Sequence, residues 1–274
     1  MPYARLFDQI HNLPTIPKVV QELIDNFNNK NIDADKISRN IQKDQAIALK
    51  VMRLANSARY GAGRKIASID SAVVMLGFDT LKTLVIASGL TGTFKDIPGM
   101  DKKKFWRESF SVANVCKLIA KFAKLETDVA FTCGMLHNIG ETLMYIGHPD
   151  EMPRIDKLVS EGAKRHELEK NQFGYDYTDV GFGLTKRWNF PEVIQSALKN
   201  QADPLSAEPF SAYAALLYVA SYLNRCFVKE KSKEDILSQF PHEVAKRLNI
   251  DLLTFFEALV EMYEKEDDIE SLLS

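Results

Sequence analysis

Apolar residues return at three- and four-residue spacing along almost the whole chain, and that spacing predicts helices. In IPKVVQELIDNF the residues Ile16, Val19, Val20, Leu23, Ile24 and Phe27 fall on one face. DADKISRNIQKD repeats the pattern through Ile37 and Ile41, with Asp33 placed to cap it. AIALKVMRLANSARYG follows and has Gly61 and Gly63 as stop signals. SIDSAVVMLG is expected to start from Ser68 as N-cap and to end at Gly77, and DTLKTLVIASGL to resume after Asp79. KTLVIAS has the composition of a short strand, but its flanks favour helix.

KDIPGMDKKK combines Pro, Gly and a charge run, and marks an internal boundary. Beyond it the expected helices are KKFWRESFSVANVCKLIAKFAK, TDVAFTCGMLHNIGETLMYIG, EVIQSALKNQ and PFSAYAALLYVASYLNRCFV. HPDEMP, QFGYDYTD and ADPLSAEP lie between them as loops or helix starts. There is no convincing repeat and no long alternating run. The pattern predicts an all-α chain: a smaller helical bundle over residues 1–95, a larger one over 96–229, and a more polar helical cap or tail over 230–274.

With 274 residues, 46% of them hydrophobic, the chain can bury a core of one or two domains. Its net charge of -2 argues against a protein held on nucleic acid by bulk charge. Cys116, Cys133 and Cys226 are far apart in apolar helical patterns and read as reduced core thiols. The first residues do not have the shape of a signal peptide. No segment approaches the roughly 18 apolar residues of a membrane span. The cytoplasm is the expected location.

CGMLHNIGETLMY carries the candidate chemistry. His137 is followed directly by Asn138, where metal-dependent hydrolases often place His-Asp. Asn138 offers a neutral oxygen only, so it does not offset the charge of a divalent ion. Glu108 is in line with Phe105, Val112, Val115 and Ile119, which points it toward the core as a ligand or a partner for His137. It is equally placed to pair with Lys104 one turn earlier. Glu141 is four residues after His137 and in position to pair with it. Cys133 lies one turn before His137, but burial would raise its pKa rather than activate it. His11, His148, His166 and His242 read as structural or surface residues.

LPTIPKVVQELIDNF, ISRNIQKDQAIALKVMRLANSARYG and IASIDSAVVMLGFDTLKTLVIAS together resemble the front half of the HDOD domain, a bacterial signalling module related to HD-type phosphohydrolases. RLANSARYG is the most specific part. FWRES, GMLHNIGETLM, FGYDYTDVGFGLTKRWNFPEVIQSAL and YVASYL follow its back half in order, so the resemblance spans roughly residues 13–229. It implies an HD-like helical bundle preceded by an N-terminal helical bundle.

The same resemblance implies that the metal-binding set is dismantled. Glu108 stands where histidine is common, Asn138 where aspartate is expected and Tyr177 where histidine is common. Asn200-Gln201 replaces a His-His-like pair, and Ser221 replaces an aspartate. Of the ligand set only His137 survives, with Asp176, Asp179 and Glu169 nearby in sequence. The expectation is a vestigial pocket of Glu108, His137, Asn138, Asp176, Tyr177, Asn200, Gln201 and Ser221 without a metal.

The leading function is then a non-catalytic signalling or scaffold protein that binds a partner protein or a small phosphorylated ligand. It would carry no cofactor, and a second copy of the chain is a candidate partner. The alternative is a divergent phosphohydrolase acting on a nucleotide or cyclic nucleotide. That enzyme would hold one divalent metal ion through Glu108, His137 and Asp176 or Asp179. A third, disfavoured reading takes residues 33–61 and the basic side chains Lys50, Arg53, Arg59, Arg64 and Lys65 as a loose helix-turn-helix for nucleic acid.

Overall fold

The structure, a computed structural model, describes residues 3–10, 13–27, 29, 33–56, 66–94 and 97–264. Gly61, Gly63, Arg59, Arg64, Lys65, His11 and most of the acidic tail lie outside the described residues. All regular secondary structure among the described residues is α-helix, as the periodicity predicts. The chain forms two compact units, one of residues 1–14 and 95–250, the other of residues 15–94 and 251–274.

α1 (Ala4–Gln9) belongs to the larger unit. The smaller unit then runs through α2 (Lys18–Asp25), α3 (Ala34–Lys43), α4 (Gln45–Ala55), α5 (Ile69–Leu76) and α6 (Phe78–Thr93). Its caps are those the sequence advertises. The Asp33 side chain accepts from Lys36 N at 2.9 Å, and Ser68 Oγ accepts from Ser71 N at 3.1 Å. Asp44 ends α3 and caps α4 by accepting from Ile47 N at 3.1 Å. Gly77, at φ +80°, is the single residue between α5 and α6. α6 therefore starts two residues earlier than expected, with Asp79 inside its first turn, where a negative charge suits the helix dipole. KTLVIAS is helical, and Leu84 and Val85 within it are fully buried.

The larger unit contains α7 (Lys102–Phe122), α8 (Thr127–Leu136), α9 (Ile139–Gly147), α10 (Met152–Ser160), α11 (Arg165–Phe173), α12 (Tyr177–Arg187), α13 (Glu192–Asn200), α14 (Ala212–Val228), α15 (Lys233–Ser238) and α16 (His242–Arg247). α7, α8 and α14 pack on one another around Trp106, Val115, Ile119, Phe131 and Leu216. Cys116, Cys133 and Cys226 are buried there as free thiols. α12 packs against α9 and α13. α17 (Leu252–Glu264) returns to the smaller unit, and its Phe255 and Leu259 are fully buried.

Three segments differ from the sequence reading. Residues 1–14, expected with the first bundle, pack in the larger unit: Arg187 lies over the Phe7 ring at 4.3 Å, and Trp188 Nε1 donates to Pro14 O at 3.2 Å. The segment expected as one tail divides, with α15 and α16 in the larger unit and residues 251–274 in the smaller. The helix expected to run unbroken from Thr127 to Gly147 breaks at His137–Asn138.

Two glycines account for that break. A Cβ on Gly134 would lie 2.3 Å from Ala113 Cα, so α8 is pressed directly onto α7. A Cβ on Gly140 would lie 2.0 Å from Tyr177 O, so α9 is pressed onto the start of α12. The two contacts commit successive turns to different neighbours, and Asn138, at φ -108° and ψ 10°, leaves the helical region between them.

Candidate functional site

The break places His137 and Asn138 at a junction of helix ends. Nδ1 of His137 lies 2.7 Å from Gly134 O. A carbonyl only accepts, so Nδ1 carries the proton and Nε2 is left as an acceptor. Burial is the main influence that lowers the imidazole pKa to about 4, and Arg225 adds to it against the bond to Gly134. The ring is neutral near pH 7. Asn138 is buried, and its Oδ1 accepts from the Ser109 hydroxyl of α7 at 3.0 Å. Gln201, just past the end of α13, donates to His137 O at 2.7 Å and to Leu198 O at 3.0 Å. These bonds satisfy backbone and side-chain groups that the break would otherwise orphan.

A second group forms where α12 begins. Asp176 is fully buried, and its Oδ1 accepts from Thr178 N at 2.9 Å, Thr178 Oγ1 at 2.6 Å and Asp179 N at 3.1 Å. Asp179 returns the favour by accepting from Asp176 N at 3.2 Å, which completes a capping box. Asp176 Oδ2 lies 3.2 Å from Lys170 Nζ, an ion pair without hydrogen-bond geometry. Tyr177 N donates to Glu169 Oε2 at 2.7 Å. Burial pushes the Tyr177 phenol up, helped by Glu141, Glu169 and Asp176, so it stays protonated.

The remaining expected site residues stand apart from these groups. Asn200 bonds within its own helix, to Ser196 O at 3.0 Å. Ser221 is half-buried on α14, one turn before Arg225. Glu108 keeps 39% of its side chain exposed and sits 4.0 Å from Lys104 Nζ, so the pairing along the helix is the contact it makes. Among the described residues no hydrogen bond joins Glu108 or Ser221 to the others. Glu141 does not pair with His137; it faces Arg165, with Nε 3.5 Å from its Oε1.

Arg165 is the residue that sequence reasoning missed. Besides Glu141 of α9 it pairs with Asp156 of α10, and its NH1 lies 3.3 Å from Oε1 of Glu169 in its own helix. Tyr145 donates its hydroxyl to Asp156. Only the Arg165–Glu169 pair, at i,i+4 spacing, carries a local sequence signal. The other partners come from elements separated by loops.

Among the described residues no three His, Cys, Asp or Glu side chains form a group able to hold a metal ion. Asn138 Oδ1 is engaged by Ser109, Asp176 by its cap, Asp179 by Asp176 N and Lys199, and Glu141 and Glu169 by Arg165.

The chain belongs to the HDOD domain family, whose model matches residues 13–204. It is 34% identical to a Shewanella amazonensis SB2B protein described as a "Putative phosphohydrolase"; the crystal structure of that protein matches with a TM-score of 0.79 over 94% of both chains. An HDOD domain protein from Geobacter sulfurreducens is 25% identical and matches with a TM-score of 0.81 over 99% of this chain and 95% of its own. A protein of Treponema pallidum (strain Nichols) is 24% identical over 199 residues, 72% of this chain and 39% of its own length. The chain thus spans about two fifths of the length of the curated relatives it matches, 39% for that protein and 38% for YuxH of Bacillus subtilis (strain 168). Among the described residues no helix is long and apolar enough to cross a membrane.

Proposed function

We infer that this chain is a non-catalytic signalling or scaffold module, whose HD-like pocket binds a partner protein or a small phosphorylated ligand and works without a metal. The observation that carries the reading is the use made of the His137–Asn138 doublet. His137 commits Nδ1 to Gly134 O, and Asn138 commits its oxygen to Ser109. Both residues serve the helix junction, while Glu108 is turned to Lys104, and Asp176 and Asp179 are engaged in a helix cap. Membership of the HDOD family supports a role in signalling, and the polar character of the substituted positions supports a pocket kept for binding.

A metal-dependent phosphohydrolase is the second reading, favoured by the 34% identical relative described as a "Putative phosphohydrolase". One experiment separates the two. Elemental analysis of protein purified without a metal-binding tag is paired with hydrolysis of bis(p-nitrophenyl) phosphate in added manganese, magnesium, zinc or iron. The scaffold reading expects no stoichiometric metal and no turnover above buffer. Stoichiometric metal with turnover, both lost in His137→Ala, would replace it with the enzyme reading.

A further inference from the structure

α1 has no part in the reading above, yet the larger unit is shaped to receive it. The helix buries Leu6 and Phe7. Both enter places that glycines leave open. A Cβ on Gly147, the last residue of α9, would overlap Leu6 Cδ1. A Cβ on Gly183 of α12 would lie 2.7 Å from Tyr3 Cε2 and 2.9 Å from Phe7 Cε2. Arg187, one turn further along α12, lies over the Phe7 ring at 4.3 Å. Tyr3 meets the same ring edge to face, with centroids 6.1 Å apart. Residues spaced as Tyr3, Leu6 and Phe7 are share one helical face, so a single short segment fills both sockets. This is helix-in-groove recognition, with α9 and α12 as the groove.

Groove and occupant are separate parts. A helix of the six residues of α1 does not stand alone in water and persists only while docked. The sockets, by contrast, belong to α9 and α12, which Gly140 brings into direct contact at Tyr177 and Gly181. The docked block ends at Pro14, whose carbonyl accepts from Trp188 Nε1 at 3.2 Å, and the smaller unit takes over at Thr15.

The link that follows is short and stiff. Only Thr15 and Ile16 separate Pro14 from Pro17, which precedes α2. A proline drives the residue before it toward extended backbone, so Pro17 biases Ile16 that way. Pro17 is itself extended, at φ -57° and ψ 147°. A hinge of two residues between prolines gives α1 little freedom to search for the groove of its own chain. Opened to full extension, the same hinge presents α1 to the groove of a second copy, where the sockets are identical.

We propose that the groove between α9 and α12 is a dimerisation site: α1 of one copy docks on Gly147 and Gly183 of a second, which returns its own α1, in a two-fold exchange hinged at Thr15–Ile16.

The chemistry of the sockets names this occupant. They need an aromatic residue, an aliphatic one three positions on, a second aromatic beside it, and nothing charged where Arg187 covers the ring. Tyr3, Leu6 and Phe7 have that order, while Arg5 and Asp8 of the same helix are exposed. Exchange repeats contacts that the closed chain already makes, so hinge stiffness and protein concentration set the balance between monomer and dimer.

The test uses the whole chain. Light scattering during gel filtration is measured from micromolar to millimolar concentration, on samples held until the mass stops changing. The expected mass rises with concentration from that of one chain to that of two. A flexible Gly-Ser insertion between Thr15 and Ile16 should weaken the dimer by about a hundredfold, the scale on which linkers alter effective concentration. L6D/F7D, which spoils the occupant, should remain at the mass of one chain. A wild-type chain that stays monomeric throughout would overturn the proposal. So would a dimer that the insertion leaves unchanged, because a dimer built through another face does not depend on this hinge. The insertion keeps every contact residue in place, so it decides the matter even if L6D/F7D fails to fold. Neither measurement depends on whether the HD-like pocket binds a ligand or a metal.

Discussion

At the scale of single residues, His137 and Asp176 show how polar groups survive inside this bundle. His137 has a folded-state pKa of about 4, below its usual 6.5. A depressed histidine supports the fold above its unfolded pKa and loses that support as pH falls from about 6.5 through about 4. His137→Gln should therefore flatten the decline in urea midpoint between those two pH values, provided the glutamine keeps the bond to Gly134 O. Asp176 supplies three accepted bonds to the first turn of α12. Asp176→Ala should cost about 2 kcal/mol, while Asp176→Asn, which keeps an oxygen there, should lose less than half of that. Urea unfolding at constant m-value distinguishes the two. Asp33 and Ser68 were legible as caps because a cap needs only its own neighbours. The partners of Arg165 were not, because three helices must be placed before the cluster exists.

At the scale of elements, the informative contrast is between helix existence and helix interruption. Apolar spacing predicted the long helices and the all-α class, since each face needs a core to bury against. It also predicted one helix from Thr127 to Gly147, and nothing in a 3.6-residue period announces a break at His137–Asn138. Gly134 and Gly140 sit on either side of it, but a glycine in a helical pattern reports a close approach only once the neighbour is known. Gly140→Ala would push a methyl into Tyr177 O, 2.0 Å away, and Gly134→Ala would press on Ala113. Each should destabilise the larger unit by about 3 kcal/mol, with Gly140→Ala also raising exchange at the start of α12. Thermal unfolding with hydrogen exchange checks both. The expected site residues divide by the same logic. His137, Asn138 and Gln201 meet because the helix ends meet, whereas Asn200, one residue from Gln201, points back along its own helix.

At the scale of the whole molecule, pH dependence comes from groups in different places with opposite signs. Glu141 and Glu169 are raised in the fold to about 7 and about 8 from an ordinary 4.5. Raised carboxyls contribute stability that is present below the unfolded pKa and is lost as pH rises through the folded one. Above about pH 6.5 the unfolded histidine is already neutral, so only the glutamates still act. Stability should decline between about pH 6.5 and about 8, and Glu141→Gln should shallow that decline in denaturant titrations. The buried cysteines have a further consequence. Cys116 and Cys133 are fully enclosed, and burial raises both thiols well above their ordinary range. A thiol reagent can therefore reach them only after α7 and α8 part, and reaction is then slow compared with that of an exposed thiol. The rate of thiol modification in native buffer becomes a built-in record of how often the core of the larger unit opens, readable by mass without any engineered probe.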